Sequence, residues 1–157
     1  MTPLKFLKFL PDAKAARDKS KDRSTKVGAV ALDDDLNMRG YGYNGFTRGI
    51  DDNREERHER PQKYMWTAHA EENMVAQAAR IGSSLRGSTV VLTSLHPCTT
   101  CSRMMIQAGV VRILAPEIRD PGTGELRFNW SEDEKFAFEM LTEAGVEVLF
   151  YKEEENE

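Results

Sequence analysis

Two short motifs carry the residues best suited to chemistry. They are His69-Ala70-Glu71 and Pro97-Cys98-Thr99-Thr100-Cys101. One imidazole and two thiolates can fill three positions around a tetrahedral Zn2+ and leave the fourth open for water, the layout of a catalytic zinc site and not a closed structural one. Glu71 is then a spare carboxylate. Standing two residues past His69, it points away from the ligand direction and can serve the metal-activated water and the substrate as a proton carrier. The only two cysteines of the chain both lie in the second motif. A closed zinc site would need a fourth protein ligand, and there is no third cysteine. Of the other histidines, His96 is expected to line the pocket and His58, in a charged loop, to be solvated.

These side chains must converge, and the pattern of the chain provides a way. Cys98 and Cys101 at i and i+3 share one face of a helix start. The positive end of a helix there favours thiolate over thiol. His69 opens an earlier helix. In a strand–helix–strand–helix arrangement two helix N-termini lie side by side, so His69 and the cysteine pair can meet at one ion. The rest of the pattern alternates helix and strand, as an α/β domain requires. Residues 4–20 read as helical with a break at Pro11. Lys26 to Leu32 and Met38 to Tyr43 read as strands joined by the Asp33–Asp35 turn. Asn44 to Lys63 is polar and aperiodic, a length that inside a small domain points to a functional loop. A helix is predicted over Thr67–Ile81, a strand over Thr89–Thr93 and a helix over Thr99–Ala108. A strand follows over Val110–Ala115, ending before Pro116, and Asp120–Gly124 reads as a turn. Ser131 and Glu134 form a capping box opening a helix that runs to Ala144. Val146–Tyr151 is the last strand.

The bulk properties narrow the function. At 157 residues, with 39% hydrophobic and 31% charged, the chain fits one domain spanning 1–157, with an acidic, solvated tail at about 152–157. The net charge of −4 argues against a nucleic acid polymer as partner, though not against a mononucleotide. No apolar run approaches the roughly 18 residues needed to span a membrane. Leu4–Leu10 is interrupted by lysines and followed by Pro11-Asp12, so it reads as an amphipathic helix and not a secretory signal. Two thiols with metal-ligand spacing fit a reducing cytoplasm.

His-x-Glu followed by Pro-Cys-x-x-Cys is the signature of zinc nucleobase deaminases. With Ser24–Ala29, Gly40–Phe46, His69–Asn73 and Ile106–Val110, the chain resembles the cytidine and deoxycytidylate deaminase family over about residues 18–151, and within it the branch acting on dCMP. The resemblance implies a three-layer α/β/α fold around a mixed five-stranded sheet. It implies zinc on His69, Cys98 and Cys101, Glu71 as proton shuttle, and hydrolysis of dCMP to dUMP and ammonia. It places Asn44 on the sugar and Arg23, Ser24 and Lys26 on the phosphate. The backbone at Ala70 and around Ser94 and Leu95 would read the pyrimidine edge. It further implies a homo-oligomer, dimer or hexamer, and dCTP and dTTP as effectors near Thr47, Arg48 and Gly49. Thr47 replaces a common Pro, Met74 replaces a common Ala, and the cysteine set for the second, structural zinc of some relatives is missing. Tyr64 and Trp66 are expected in core packing or a subunit interface, with stacking on a base as the sharper possibility. Met104, Met105 and Ile106 fit either core or contact. Rival readings are cytidine, cytosine or tRNA adenosine as substrate, and a non-catalytic nucleotide binder. An acidic chain argues against tRNA, and the intact Glu71 argues against a mere binder.

Overall fold

The sheet is built from alternating residues that divide two hydrophobic layers between its faces. The computed structural model describes residues 4–94, 97–117, 122–125 and 131–153. Its five-stranded sheet comprises β1 (Gly28–Leu32), β2 (Met38–Tyr43), β5 (Thr89–Leu92), β6 (Arg112–Pro116) and β7 (Glu147–Tyr151), in the order β2-β1-β5-β6-β7. β1 runs antiparallel to β2 and β5, while β5, β6 and β7 are parallel. Register puts Ala29 opposite Leu92, Val90 opposite Ile113 and Ile113 opposite Val148 on one face. Val30, Val91, Leu114 and Leu149 alternate with them on the other. The first set packs with Ala70, Met74, Cys101, Met105 and Leu141, and the second with Phe6 and Ala13.

Helices therefore cover both faces. One layer holds α1 (Leu4–Leu7) and α2 (Leu10–Arg17). The other holds α4 (Ala70–Ile81), α5 (Thr99–Ala108) and α6 (Glu132–Glu143). This is the expected three-layer α/β/α architecture with a mixed sheet. The break near Pro11 is present: α1 stops at Leu7, and Pro11 sits in the first turn of α2, where its missing N–H costs nothing. Gly109, at φ +92°, takes the left-handed position that closes α5.

Several ends shift by one to three residues from expectation, and three differences matter more. The fourth helix begins at Ala70 and not Thr67, because Thr67–Ala68 (β4) pairs with Gly45–Phe46 (β3) in a two-residue ladder. The sixth strand runs over Arg112–Pro116, so Pro116 lies inside it. The neighbouring Glu117 N–H turns to Tyr151 O, leaving the Pro116 nitrogen on the β5 side, where pairing already ends at Leu114. The predicted 44–63 loop contains β3, a 3-10 turn at Glu55–His58 and the start of α3 (Lys63–Trp66). Three expectations lie wholly or partly outside the described residues: His96 and Leu95 at the pocket, the first two residues of the Asp120–Gly124 turn, and the end of the acidic tail. Among the described residues no helix is long and apolar enough to cross a membrane.

Candidate active site

The N-termini of α4 and α5 meet beside the edge of β1, and each presents metal-binding side chains from its cap. His69 caps α4 with extended backbone, φ −73° and ψ 159°, and its N–H donates to Glu72 Oε1 at 3.1 Å. Cys98 caps α5, its sulfur accepting from the Cys101 N–H at 3.4 Å. Cys101, three residues on, is buried. The first turns of both helices thus aim orphan N–H groups at the same space.

His69 Nδ1 lies 3.5 Å from Cys98 Sγ and 3.4 Å from Cys101 Sγ. In a tetrahedral zinc site with Zn–S near 2.3 Å and Zn–N near 2.0–2.1 Å, the N···S edge is about 3.5 Å. The donor set and its spacing therefore fit one zinc ion, with three protein ligands and an open fourth position. Among the described residues, no other group of three or more His, Cys, Asp or Glu side chains is close enough to hold a metal.

The protonation of this cluster follows from its contacts. The hydrogen bond from Cys101 and the imidazole of His69 hold the Cys98 thiol down to about 4. The same bond to Cys98, with burial, pushes the Cys101 thiol up. Hydrogen bonding to Cys98 pushes His69 up to about 9. The residues share protons that a bound dication would release, leaving two thiolates and a neutral imidazole. Glu71 is 6% exposed, and burial holds its carboxyl above the ordinary carboxylate range. It lines the same cavity as His69 and Cys98, and the charges of His69 and Cys98 act on it.

A cavity of about 490 Å³ opens above these groups, within the roughly 300–1,000 Å³ of small-molecule sites. Of the residues expected there, Ser24, Asn44, Ala70, Glu71 and Ser94 line it. Arg23 and Lys26 do not. Arg23 forms a two-pronged ion pair with Glu55 and faces a neighbouring cavity, while Lys26 is exposed on the lead-in to β1 and lines neither space. Asn44 is 8% exposed and ties its own wall together. Its Oδ1 accepts from Val27 N–H, and its Nδ2 donates to Thr25 O, both at 2.8 Å.

Other residues on the wall have no motif to announce them. Asp22 Oδ1 accepts from Ser24 N–H, Thr25 N–H and the Lys63 ammonium at 2.8–3.0 Å. Burial alone would push its carboxyl up, but these donors outweigh that and hold it below the usual range. Asp133, from the first turn of α6, accepts the Thr99 N–H at 3.0 Å and the Thr99 hydroxyl at 2.7 Å. Those two bonds hold its carboxyl low and pin the start of the cysteine helix. Arg60, Lys63 and Tyr64 also face the cavity. For Arg60 and Lys63 a signal existed only in the mixed-charge loop they come from, without spacing to single them out, whereas Tyr64 stood out by its place just before the histidine helix.

The aromatic and histidine expectations need correction. Tyr64 is 65% exposed at the cavity rim and so is not core. Trp66 is half-buried beneath Arg57, whose guanidinium sits 3.9 Å from the ring centroid. His58 is not simply solvated, for its ring stacks on Phe46 at 4.9 Å and its Nε2 bonds Asp52 O. Met105 is fully buried, and Met104 and Ile106 pack against the core.

Comparison with known proteins agrees with this geometry. The family model described as the cytidine and deoxycytidylate deaminase zinc-binding region matches residues 5–116. An uncharacterized deaminase from the luxG 3′ region of Aliivibrio fischeri is 34% identical over 143 residues, covering 91% of this chain and 90% of that protein. The probable deoxycytidylate deaminase of Caenorhabditis elegans is 35% identical over 131 residues, covering 82% of this chain and 63% of that longer relative. The apo crystal structure of dCMP deaminase from the cyanophage S-TIM5 superposes with a TM-score of 0.71 at 25% identity, covering 96% of this chain and 100% of that one. With the zinc-binding region matched across most of its length, and the three ligands assembled at two helix caps, the chain belongs to the cytidine and deoxycytidylate deaminase family.

Proposed function

We propose that this protein hydrolyses dCMP to dUMP and ammonia. The observation that carries the reading is the buried Glu71 carboxyl against the His69, Cys98 and Cys101 ligands, at the base of a cavity of nucleotide size. The relatives named deoxycytidylate deaminases support the choice of substrate.

Bound zinc supplies a Lewis acid that makes water a nucleophile near neutral pH. The chain's own groups do the rest. Cytosine enters with C4 toward the metal ligands. Glu71 takes a proton from the attacking water and gives it to N3 as the water oxygen bonds to C4. It then takes the remaining hydroxyl proton and passes it to the exocyclic nitrogen. The C4–N bond breaks, ammonia leaves and a carbonyl remains at C4. Burial favours the protonated state Glu71 needs for delivery. The Ala70 N–H, an orphan donor in the first turn of α4, and Ser94 read the pyrimidine edge. Asn44 uses one Nδ2 hydrogen on Thr25 O and offers the other to the sugar. Ser24 faces the phosphate, whereas Arg23 and Lys26 stand outside this cavity.

Effector control belongs to the same reading. A separate cavity of about 290 Å³ is lined by Tyr43, Phe46, Thr47, Arg48 and Arg80. Its two guanidiniums suit the phosphates of dCTP or dTTP. We further propose a homo-oligomer, dimer or hexamer, working in a reducing cytoplasm that keeps the two ligand thiols free of disulfide.

Ammonia release from dCMP, CMP, deoxycytidine and cytidine, each with and without dCTP, tests the proposal. Turnover concentrated on dCMP is expected. Equal or faster turnover of the nucleosides would move the protein to the cytidine branch, and stimulation by dCTP would support the effector site.

A further inference from the structure

The charges around the zinc cavity are not equally available. Lys63 is committed to Asp22 at 3.0 Å, and both side chains are largely shielded, at 15% and 6% exposure. On α6, Asp133 is taken up by Thr99, and the Glu134 carboxylate accepts from the Ser131 hydroxyl at 3.0 Å. Arg60 is different. It lines the same cavity, is exposed, and has no carboxylate partner among the described residues. Its guanidinium instead lies 5.7 Å from the ring centroid of Tyr64, which lines the cavity too. An aromatic contact of this kind restrains a long side chain while leaving its five donors unspent.

We infer that Arg60 selects a 5′-phosphorylated substrate by pairing its guanidinium with the phosphate, with Tyr64 as its platform. The inference rests on the reading of a cytosine nucleotide as substrate and assigns its phosphate to a residue outside the motif that the family resemblance points to. The physical case is one of charge balance. A phosphate brought into this cavity meets acids on α6 and a lysine already neutralised by Asp22, so among the described lining residues Arg60 is the cation free to receive it. A guanidinium fork matches phosphate oxygens in a bidentate manner that an ammonium does not.

The test compares Arg60→Ala, Arg60→Lys and the surface control Lys14→Ala, each as zinc-loaded full-length protein, on dCMP and deoxycytidine. Melting temperature and zinc content establish that each variant is folded and loaded. Loss of charge-assisted hydrogen bonds worth about 1.5–3 kcal/mol should raise the KM for dCMP by about 10- to 100-fold in Arg60→Ala. Its kcat for dCMP and its kcat/KM for deoxycytidine should stay within about twofold. Arg60→Lys should fall between Arg60→Ala and the unmodified protein, and Lys14→Ala should match the unmodified protein. A KM for dCMP within about twofold in Arg60→Ala, an equal loss on deoxycytidine, or an equal rise in Lys14→Ala would each overturn the assignment. An unmodified protein that turns over deoxycytidine as well as dCMP would instead remove the nucleotide reading on which it rests.

Discussion

At the scale of single residues the site is a matter of protons and one metal. His69, Cys98 and Cys101 are close enough to share protons, and their separations match the edges of a zinc tetrahedron. Removing one sulfur leaves two ligands and an unbalanced site. Cys98→Ala is therefore expected to retain less than about a tenth of an equivalent of zinc after dialysis, in line with the 10- to 100-fold affinity losses seen even for outer-shell changes. Metal analysis by mass spectrometry checks this, and near-stoichiometric zinc would contradict it. These ligands were legible in the sequence, because residue type and spacing are what a metal demands. Asp22, Arg60, Lys63 and Asp133 were not. Each is a charged side chain in a charged segment, and only tertiary contact turns it toward the cavity.

At the scale of elements, the site depends on how closely α4 lies on β2. A Cβ added at Gly42 would come within 2.3 Å of Ala70 O and 2.4 Å of Met74 N, both backbone atoms that have no room to yield. Asn73 holds the same junction, donating from Nδ2 to Tyr43 O at 2.8 Å. Gly42→Ala should push the first turn of α4 outward and carry His69 with it. About 1–3 kcal/mol of stability should be lost, as for other overpacked sites, and zinc affinity should fall as well. Denaturant melts with and without zinc measure both, and unchanged stability would refute the close approach. Short buried β-rich runs and helices with clear caps were readable from sequence, including Ser131, whose Oγ accepts from Glu134 N–H at 3.2 Å. The 44–68 segment was not. Its β3–β4 ladder is two residues long, and its turns are held by Lys21–Asp52, Arg57–Trp66 and Phe46–His58 contacts rather than by local periodicity.

At the scale of the whole molecule, the partly buried Lys63–Asp22 ion pair joins the 50–66 segment to the lead-in of β1. Asp22 is held below its ordinary value of 3.8, so its ionised form stabilises the fold above about pH 4. That contribution is lost as pH falls through its lowered value, when the carboxylate must take up a proton and release Ser24, Thr25 and Lys63. Urea melts between pH 3 and pH 6 should show stability falling at the acid end. Asp22→Asn should be less stable at pH 6 and less pH-dependent below pH 4. An identical pH dependence in the two proteins would rule out this linkage. Alternation of helix and strand pointed to an α/β domain, and the family resemblance implied its three layers. The 44–63 segment stood out in the sequence as a functional loop, but not which of its side chains would line the cavity.

On the proposed reading, Glu71 moves the protons of deamination beside a zinc it does not bind. Ammonia release from dCMP by Glu71→Gln, compared with the unmodified protein at matched zinc content, tests it most directly. The amide keeps the shape and cannot carry the proton. Full zinc occupancy is expected, with kcat reduced by about 10²–10⁴-fold. Wild-type turnover in that variant, or zinc lost along with activity, would contradict it.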